Sequence, residues 1–589
     1  MTVLAGVGIY CFFAFRYPYH IHFQEQCQLF ESTWAYFASV ASVPGGFADW
    51  LGRCLTQFFY YAPAGALIMA VLLCGIQLLA WAACKGKSLT AYALSFIPSV
   101  LLLLFFCDEN SLAGGAVAIA LSLAAAVLLS IVRKERLRRF LEAVAAPLLY
   151  FLCGPAALAC VLIVIAREIG GTGAKAIPFS LLLLALFAVC PLVAGRLVPY
   201  PLSRLYVGIH YYRYHNMVPG MLWLSALSTV IPVVVSLLPG KGKSILPGTA
   251  AYVLVAAAGV FLVLRTADMP KEEWMRYDFM VRMQMWNRIM QAADLRNPDG
   301  PKTVSCLNLA LAKTGRMPDA QFSYFQNGPE GLIPGFRGDY TNPVSTGEIF
   351  WHLGMVNTAQ RFAFEAQEAL PDFQKSARCY RRLAETNIVN GDVEVARKYL
   401  GALCNATFYR KWARETLALL DDGTIFEKRP ELARARDCRL HEHDFLFSDT
   451  EMDSMLGLLK VENSSNSMAL DYLMSWCLLR KDLDRFVECI PLVDAPAMPK
   501  SYQEALLLRW VLTHSDFNGL PSYISLANVR RISEFISDVQ AKKSAEAMQK
   551  AYGDTYWFYY YYRYLSENDL SRDEKNTSGP DGSPYSGGL

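Results

Sequence analysis

The stretch APAGALIMAVLLCGIQLLAWAAC runs from Ala62 to Cys84 without one charged side chain. A bilayer core of about 30 Å takes about 20 apolar residues as helix, because lipid offers no partner to an unbonded peptide group. This stretch therefore reads as a membrane-crossing helix, and it has companions. Leu89–Cys107, Ser111–Val132, Ala143–Ala166, Ala176–Ala194, Met217–Leu238 and Ile245–Leu264 are equally free of charge. Thr2–Phe15 is shorter and becomes a span by borrowing the Tyr17-Pro18-Tyr19 edge. With no basic segment before it and no small-residue cleavage site, it reads as a retained first helix rather than a removed signal. The expectation is a polytopic bundle of about eight spans over residues 1–264, bent at Pro98, Pro147, Pro155, Pro191 and Pro232.

Composition agrees. Of 589 residues, 54% are hydrophobic and 18% charged, and a mean hydropathy of +0.23 is too apolar for an ordinary soluble multidomain chain. Residues 1–264 hold 16 Lys and Arg against 8 Asp and Glu, and the remainder 39 against 44. No dense basic face is present, which excludes a nucleic-acid partner held by phosphate neutralisation. The bilayer is the first partner. Lys and Arg in the connections number ten on one side and six on the other, which puts the N-terminus and the C-terminal region in the cytoplasm if eight spans are correct.

Nine of the fifteen Cys fall in the apolar half, where Cys acts as a small hydrophobe. Only Cys27 and Cys54, in one polar connection, are placed for a disulfide. The six Cys of the second half show no C-x-x-C spacing, so no zinc or redox site is expected there.

From about Thr266 the pattern changes to amphipathic helices with apolar residues at i, i+3, i+4 and i+7, predicting a soluble α-helical domain over 265–565. Tyr380-x-x-Leu383-Ala384, the turn Asn390-Gly391-Asp392 and Ala396-x-x-x-Leu400 resemble one tetratricopeptide repeat. Leu307…Gly315…Ala320…Tyr324 and Leu470-x-x-Leu473…Lys481…Phe486…Ile490 have similar offsets. The 34-residue period is broken, and the alternative is an irregular helical domain. The chain so resembles an uncharacterised family of bacterial multi-pass membrane proteins with a C-terminal tetratricopeptide-like helical domain. That resemblance implies a place in the cell (inner) membrane and no activity.

Gly328 to Pro343 reads as a long ordered loop. The run from Tyr556 to Tyr564 is either packed against the helices or seated at lipid headgroups. Residues 566–589 read as a disordered tail.

One polar connection, His20 to Tyr61, carries His20, His22, Glu25, Glu31 and Asp49, then an amphipathic stretch Phe47–Phe59. Lipid-carrier glycosyltransferases of the GT-C type have a similar layout, with interfacial helices and a carboxylate after the first span. That resemblance implies Glu25 as base toward an acceptor, and His20 or His22 as phosphate-binding groups. The plainer reading is that these are solvated loop charges. His210 to His215 reads as an aromatic-cationic belt beside a span. Cys438, His441, Glu442, His443 and Asp444 have ligand-type side chains, but His441 and His443 would face different sides of a helix. Gly170 to Lys175 lacks the ending of a phosphate loop. No charged residue lies within a span, which argues against an ion-coupled transporter. No cofactor is expected. The reading preferred is a membrane anchor whose helical-repeat domain holds a protein partner, with the glycosyltransferase as alternative, and whether the chain is an enzyme stays open.

Overall fold

The computed structural model describes residues 1–563, except 86–87, 215, 239–244, 373, 441–446, 449, 495–496 and 515. Its described residues are helical, with no β-strand beyond one isolated bridge between Ser111 and Tyr212. Two compact units are present. The first comprises Met1–Glu272 with Leu370–Tyr380 and Leu400–Glu415, and the second comprises Glu273–Ala369, Arg381–Tyr399 and Thr416–Leu589.

The helices of the first unit are α1 (Thr2–Cys11, continued by a π-turn through Arg16), α2 (Pro18–Gln26), α3 (Trp34–Ala41), α4 (Gly46–Thr56), α5 (Ala62–Ala82), α6 (Leu89–Leu94), α7 (Ile97–Phe105) and α8 (Ala113–Ile131). They continue as α9 (Glu135–Cys153), α10 (Leu158–Thr172), α11 (Ile177–Ala194), α12 (Leu202–Val207), α13 (Gly220–Ser228), α14 (Val230–Leu237), α15 (Ile245–Thr266) and the start of α16 (Met269–Arg282). Five helical stretches are long and apolar enough to cross a membrane: Ala62–Ala82, Ala113–Ile131, Glu135–Ala194, Gly220–Leu237 and Gly248–Thr266. Thr2–Arg16 and Leu89–Phe105 are shorter apolar helices. Leu67, Val71, Leu128, Leu148, Leu181, Leu254 and Leu264 point outward from the bundle, whereas small residues such as Ala66, Ala80, Ala116 and Ala126 are buried where helices meet.

The stretch Glu135–Ala194 has 60 residues, which as one rod would be about 90 Å long, three bilayer cores. It folds instead into α9, α10 and α11. The sequence-based span Ala143–Ala166 is therefore not one helix, because the chain turns back at Cys153-Gly154-Pro155. Gly154 takes φ +67°, ψ −157°, a region open essentially to glycine alone. The Tyr211 hydroxyl caps this turn, accepting from the Ala156 N–H at 2.9 Å and donating to the Cys153 carbonyl. Ion pairs at the far end fix the antiparallel course: Glu168 near the end of α10 receives Arg138 at 2.5 Å and Arg139 at 2.9 Å from the start of α9. Charge thus sits on these helices beyond the apolar run, with Arg167 of α10 donating to the Ala83 carbonyl at the end of α5 and to the Ala126 carbonyl within α8.

In the second unit, helices pair across short turns. After residues 282, 313, 353, 390, 421, 479 and 540 the chain takes one left-handed residue one or two positions on: Gln284, Gly315, Gly354, Gly391, Gly423, Lys481 and Lys542. In every case the following N–H bonds back five residues, as from Asp392 to the Asn387 carbonyl and from Asp482 to the Cys477 carbonyl. Seven Schellman closures with the same bond satisfy the end carbonyls. Three of them fall at the turns read from sequence, Gly315, Gly391 and Lys481. Gly354, Gly391 and Gly423 are 37 and 32 residues apart, so the period is irregular. The aromatic run packs inside this unit: Tyr556 and Trp557 are fully buried, and the Trp557 indole donates to the Glu504 carbonyl at 2.7 Å.

Candidate functional site

One end of the first unit gathers buried charge. Helix α2 opens on Pro18, which has no N–H to lose, and presents the free N–H groups of Tyr19 and His20. Both donate to Glu272, at 2.8 Å to Oε1 and 3.0 Å to Oε2. A carboxylate at a helix N-terminus is favoured by the axial dipole as well. His20 Nδ1 lies 2.9 Å from the same Oε2.

The other ring nitrogen fixes the charge state. Tyr17 has one hydroxyl proton, donated to the Cys107 carbonyl at 3.0 Å, and it accepts from the Asp268 N–H. His20 Nε2, 3.0 Å from that hydroxyl, must therefore be the donor. With Nδ1 donating to Glu272, the ring is an imidazolium. Glu109 stands 3.8 Å from Nε2 and binds Lys271 at 2.8 Å. Burial alone would lower the His20 pKa, but its bonds to Glu109 and Glu272 outweigh burial and raise it. Burial likewise opposes ionisation of Glu109, yet His20 and Lys271 bring its pKa down to about 2. Two cations and two carboxylates balance. Arg213 closes the cluster, donating from its backbone to the Asn110 carbonyl at 3.0 Å and from its side chain to Cys27 Sγ at 2.8 Å.

A second set joins the His20–Tyr61 connection to residues far along the chain but within the same unit. Glu25, 4% exposed, accepts from the Tyr409 hydroxyl at 3.1 Å. The Gln26 side chain accepts from Arg378 at 3.0 Å, and Ser376 donates to the Gln26 carbonyl at 2.7 Å. Glu31 pairs with Lys375 at 2.6 Å. Phe408 stacks on Tyr60 with centroids 5.1 Å apart. Beside them Arg204 grips Asp372 through two bonds of 3.0 and 2.6 Å, the bidentate geometry that makes such pairs strong.

Glu25, His20 and His22 all lie on α2, but the structure does not bring them to one point. His20 and His22 are two apart and so face different sides of the helix, and His22 is half-buried, its ring 6.4 Å from that of Tyr19. Sequence reasoning missed Glu272, Glu109, Lys271, Tyr409 and Arg378. Glu109 alone had a signal, a carboxylate in the short polar break between two apolar runs. The His210–Tyr214 segment is not a surface belt: His210, Tyr211 and Arg213 are buried. Cys27 and Cys54 are not joined by a disulfide, and Cys27 accepts from Arg213 instead. Among the described residues no group of three His, Cys, Asp or Glu is placed to hold a metal. His441, Glu442, His443 and Asp444 lie outside the described residues, as does the tail 566–589.

The fold and the cluster define an all-α chain that combines an apolar helix bundle, closed at one end by buried ion pairs, with a unit of helical hairpins. The chain belongs to the family of unknown function DUF6057, which matches residues 1–563. No curated protein and no solved structure matches it.

Proposed function

We propose that the chain is an integral membrane protein of nine crossings whose second unit is exported and holds a protein partner on divergent tetratricopeptide-like hairpins. The nine are α1, α5, α6 with α7, α8, α9, α10, α11, α13 with α14, and α15. The α9–α10 hairpin adds one crossing to the eight expected from sequence and reverses the side on which the chain leaves the bundle. Two observations support this count. Residues 20, 109, 213 and 272 meet at one end of the bundle, whereas Ala83, Ala126, Arg138 and Glu168 lie at the other. By the order of the chain, nine crossings would assign eleven Lys and Arg of the sequence to the second side (85, 87, 133, 134, 136, 138, 139, 167, 175, 241, 243), against five to the first (16, 53, 196, 204, 213). That contrast is sharper than the ten to six of the eight-span reading, and it supports a cytoplasmic second end.

The observation that carries the anchoring role is the engagement of the first connection with residues 370–380 and 400–415. Glu25, Gln26 and Glu31 bond Tyr409, Arg378 and Lys375. On this reading the connection is a clamp for distant chain segments. Nine crossings place it on the same side as the exported unit, which is the arrangement a GT-C-like glycosyltransferase would need. Against that alternative, both His20 nitrogens are committed to Glu272 and Tyr17, so His20 has no donor left for a phosphate.

Complementation of a deletion strain separates the two. Glu25→Gln keeps the acceptor for Tyr409 and removes the base. The clamp reading expects growth indistinguishable from wild type. A general base contributes about 10²- to 10⁴-fold to rate, so loss of complementation at unchanged protein level would transfer the assignment to catalysis.

A further inference from the structure

The second unit contains a cavity of about 350 Å³ between the start of the helix Trp286–Leu295 and the ends of the helices Pro301–Lys313, Thr341–Leu353 and Pro430–Cys438. Its walls carry Trp286, Trp351, Lys313, His352 and Arg434. The Lys313 ammonium lies 6.0 Å from the Trp286 ring centre, and Trp286 meets His352 edge to face at 5.2 Å. Among the described residues, neither Lys313 nor Arg434 has an ion-pair partner. Glu431, on the same wall as Arg434, is not within 4 Å of either cation.

Most Lys and Arg either reach solvent or find a carboxylate. Here a half-buried ammonium without a carboxylate partner shares an open space beside Trp286 with the exposed Arg434. Burial, with Arg434 adding to it, pulls the Lys313 pKa down to about 8, against a smaller raising effect of Cys438. Burial also drives His352 down to about 3, with Lys313 contributing, while Glu348 opposes and Arg382 and Arg434 reinforce. His352 is therefore neutral, and the net local charge is positive. Both Lys313 and His352 end helices, where the axial dipole favours a cation, yet that dipole has not offset burial.

We propose that this cavity binds a monosaccharide carrying one anionic group, with the anion between Lys313 and Arg434 and the ring against Trp286. The volume falls at the lower end of small-ligand pockets and suits one ring. Trp286 offers an apolar ring, and the side chains of Gln284 and Glu431 offer an amide and a carboxylate to ring hydroxyls. The inference is independent of the clamp and of the protein partner.

Isothermal titration of the full chain in detergent at pH 8 tests it, with D-glucuronate, D-glucose 6-phosphate and D-glucose as probes. At least one anionic sugar should bind ten-fold or more tighter than glucose, and the better of the two identifies carboxylate or phosphate as the group recognised. With burial pulling its pKa down to about 8, Lys313 is partly deprotonated at pH 8 in the empty cavity, and a bound anion raises its pKa. Binding should therefore take up a proton, and its heat should change with the ionisation heat of the buffer. Lys313→Arg, always charged, should keep the affinity and lose the buffer dependence. Lys313→Met should cost ten-fold or more for the anionic sugar and leave glucose unchanged. Equal affinity for glucose and both anionic sugars, no binding of any probe, or unchanged binding in Lys313→Met would overturn the proposal. Should Lys313→Met fail to fold, Lys313→Arg decides alone.

Discussion

Glu272→Ala is expected to cost the first unit about 3–5 kcal/mol, the range for removing one partner of a buried ion pair. The change strands three groups at once. The N–H groups of Tyr19 and His20 lose the Glu272 carboxylate at the start of α2, and the His20 imidazolium loses its closest counter-charge. His20 is buried and Tyr19 half-buried, so water replaces the lost acceptor only in part. With total stabilities of about 5–15 kcal/mol, such a loss should appear as aggregation during detergent extraction or as a fall in Tm well beyond 5 °C. Glu272→Gln should fall between, because its amide oxygen still accepts from the backbone. The adjacent Glu273→Ala breaks only a 3.4 Å pair with an exposed Arg296 and should cost no more than about 1 kcal/mol. If Glu272→Ala and Glu273→Ala melted alike, the cluster would not be what closes this end of the bundle.

Gly154→Ala is expected to be the next most damaging change. A Cβ there would lie 2.8 Å from the Tyr211 hydroxyl and 3.4 Å from the Gly45 Cα, and the backbone angles are ones that an L side chain rarely adopts. Strain of this kind costs about 1–3 kcal/mol, and displacing Tyr211 would add the loss of two buried hydrogen bonds at about 1 kcal/mol each. Gly75→Ala on α5 meets nothing within 4 Å and should leave Tm within about a degree. Equal thermal stability of the two variants in detergent would mean that the α9–α10 turn does not depend on this glycine.

Much of this architecture is legible in the sequence because it is local. Hydropathy alone finds α5, α8 and α11, and the turns at Gly315, Gly391 and Lys481 announce themselves by a polar or glycine break between amphipathic runs. The α9–α10 turn is illegible to a hydropathy scan, since Cys153-Gly154-Pro155 is as apolar as its neighbours. Only the Gly-Pro pair hints at it, and it is that turn on which the proposed odd count of crossings rests. The charged cluster is illegible for another reason. His20 and Glu272 are 252 residues apart, and Glu25 and Tyr409 are 384 apart. No spacing rule joins such pairs, so α2 could be recognised as a polar helix rich in titratable groups while the partners that satisfy those groups could not.

The central claim is that the chain crosses the bilayer an odd number of times and delivers its second unit to the side opposite the Arg133–Arg139 connection. A membrane-impermeant maleimide tests it on single cysteines introduced at exposed positions, each compared with the unsubstituted chain in spheroplasts. Ser42→Cys in the first connection and Glu394→Cys in the second unit should both react before lysis, and Arg136→Cys only after it. Reaction of Ser42→Cys and Arg136→Cys from the same side, or of Ser42→Cys and Glu394→Cys from opposite sides, would contradict the account.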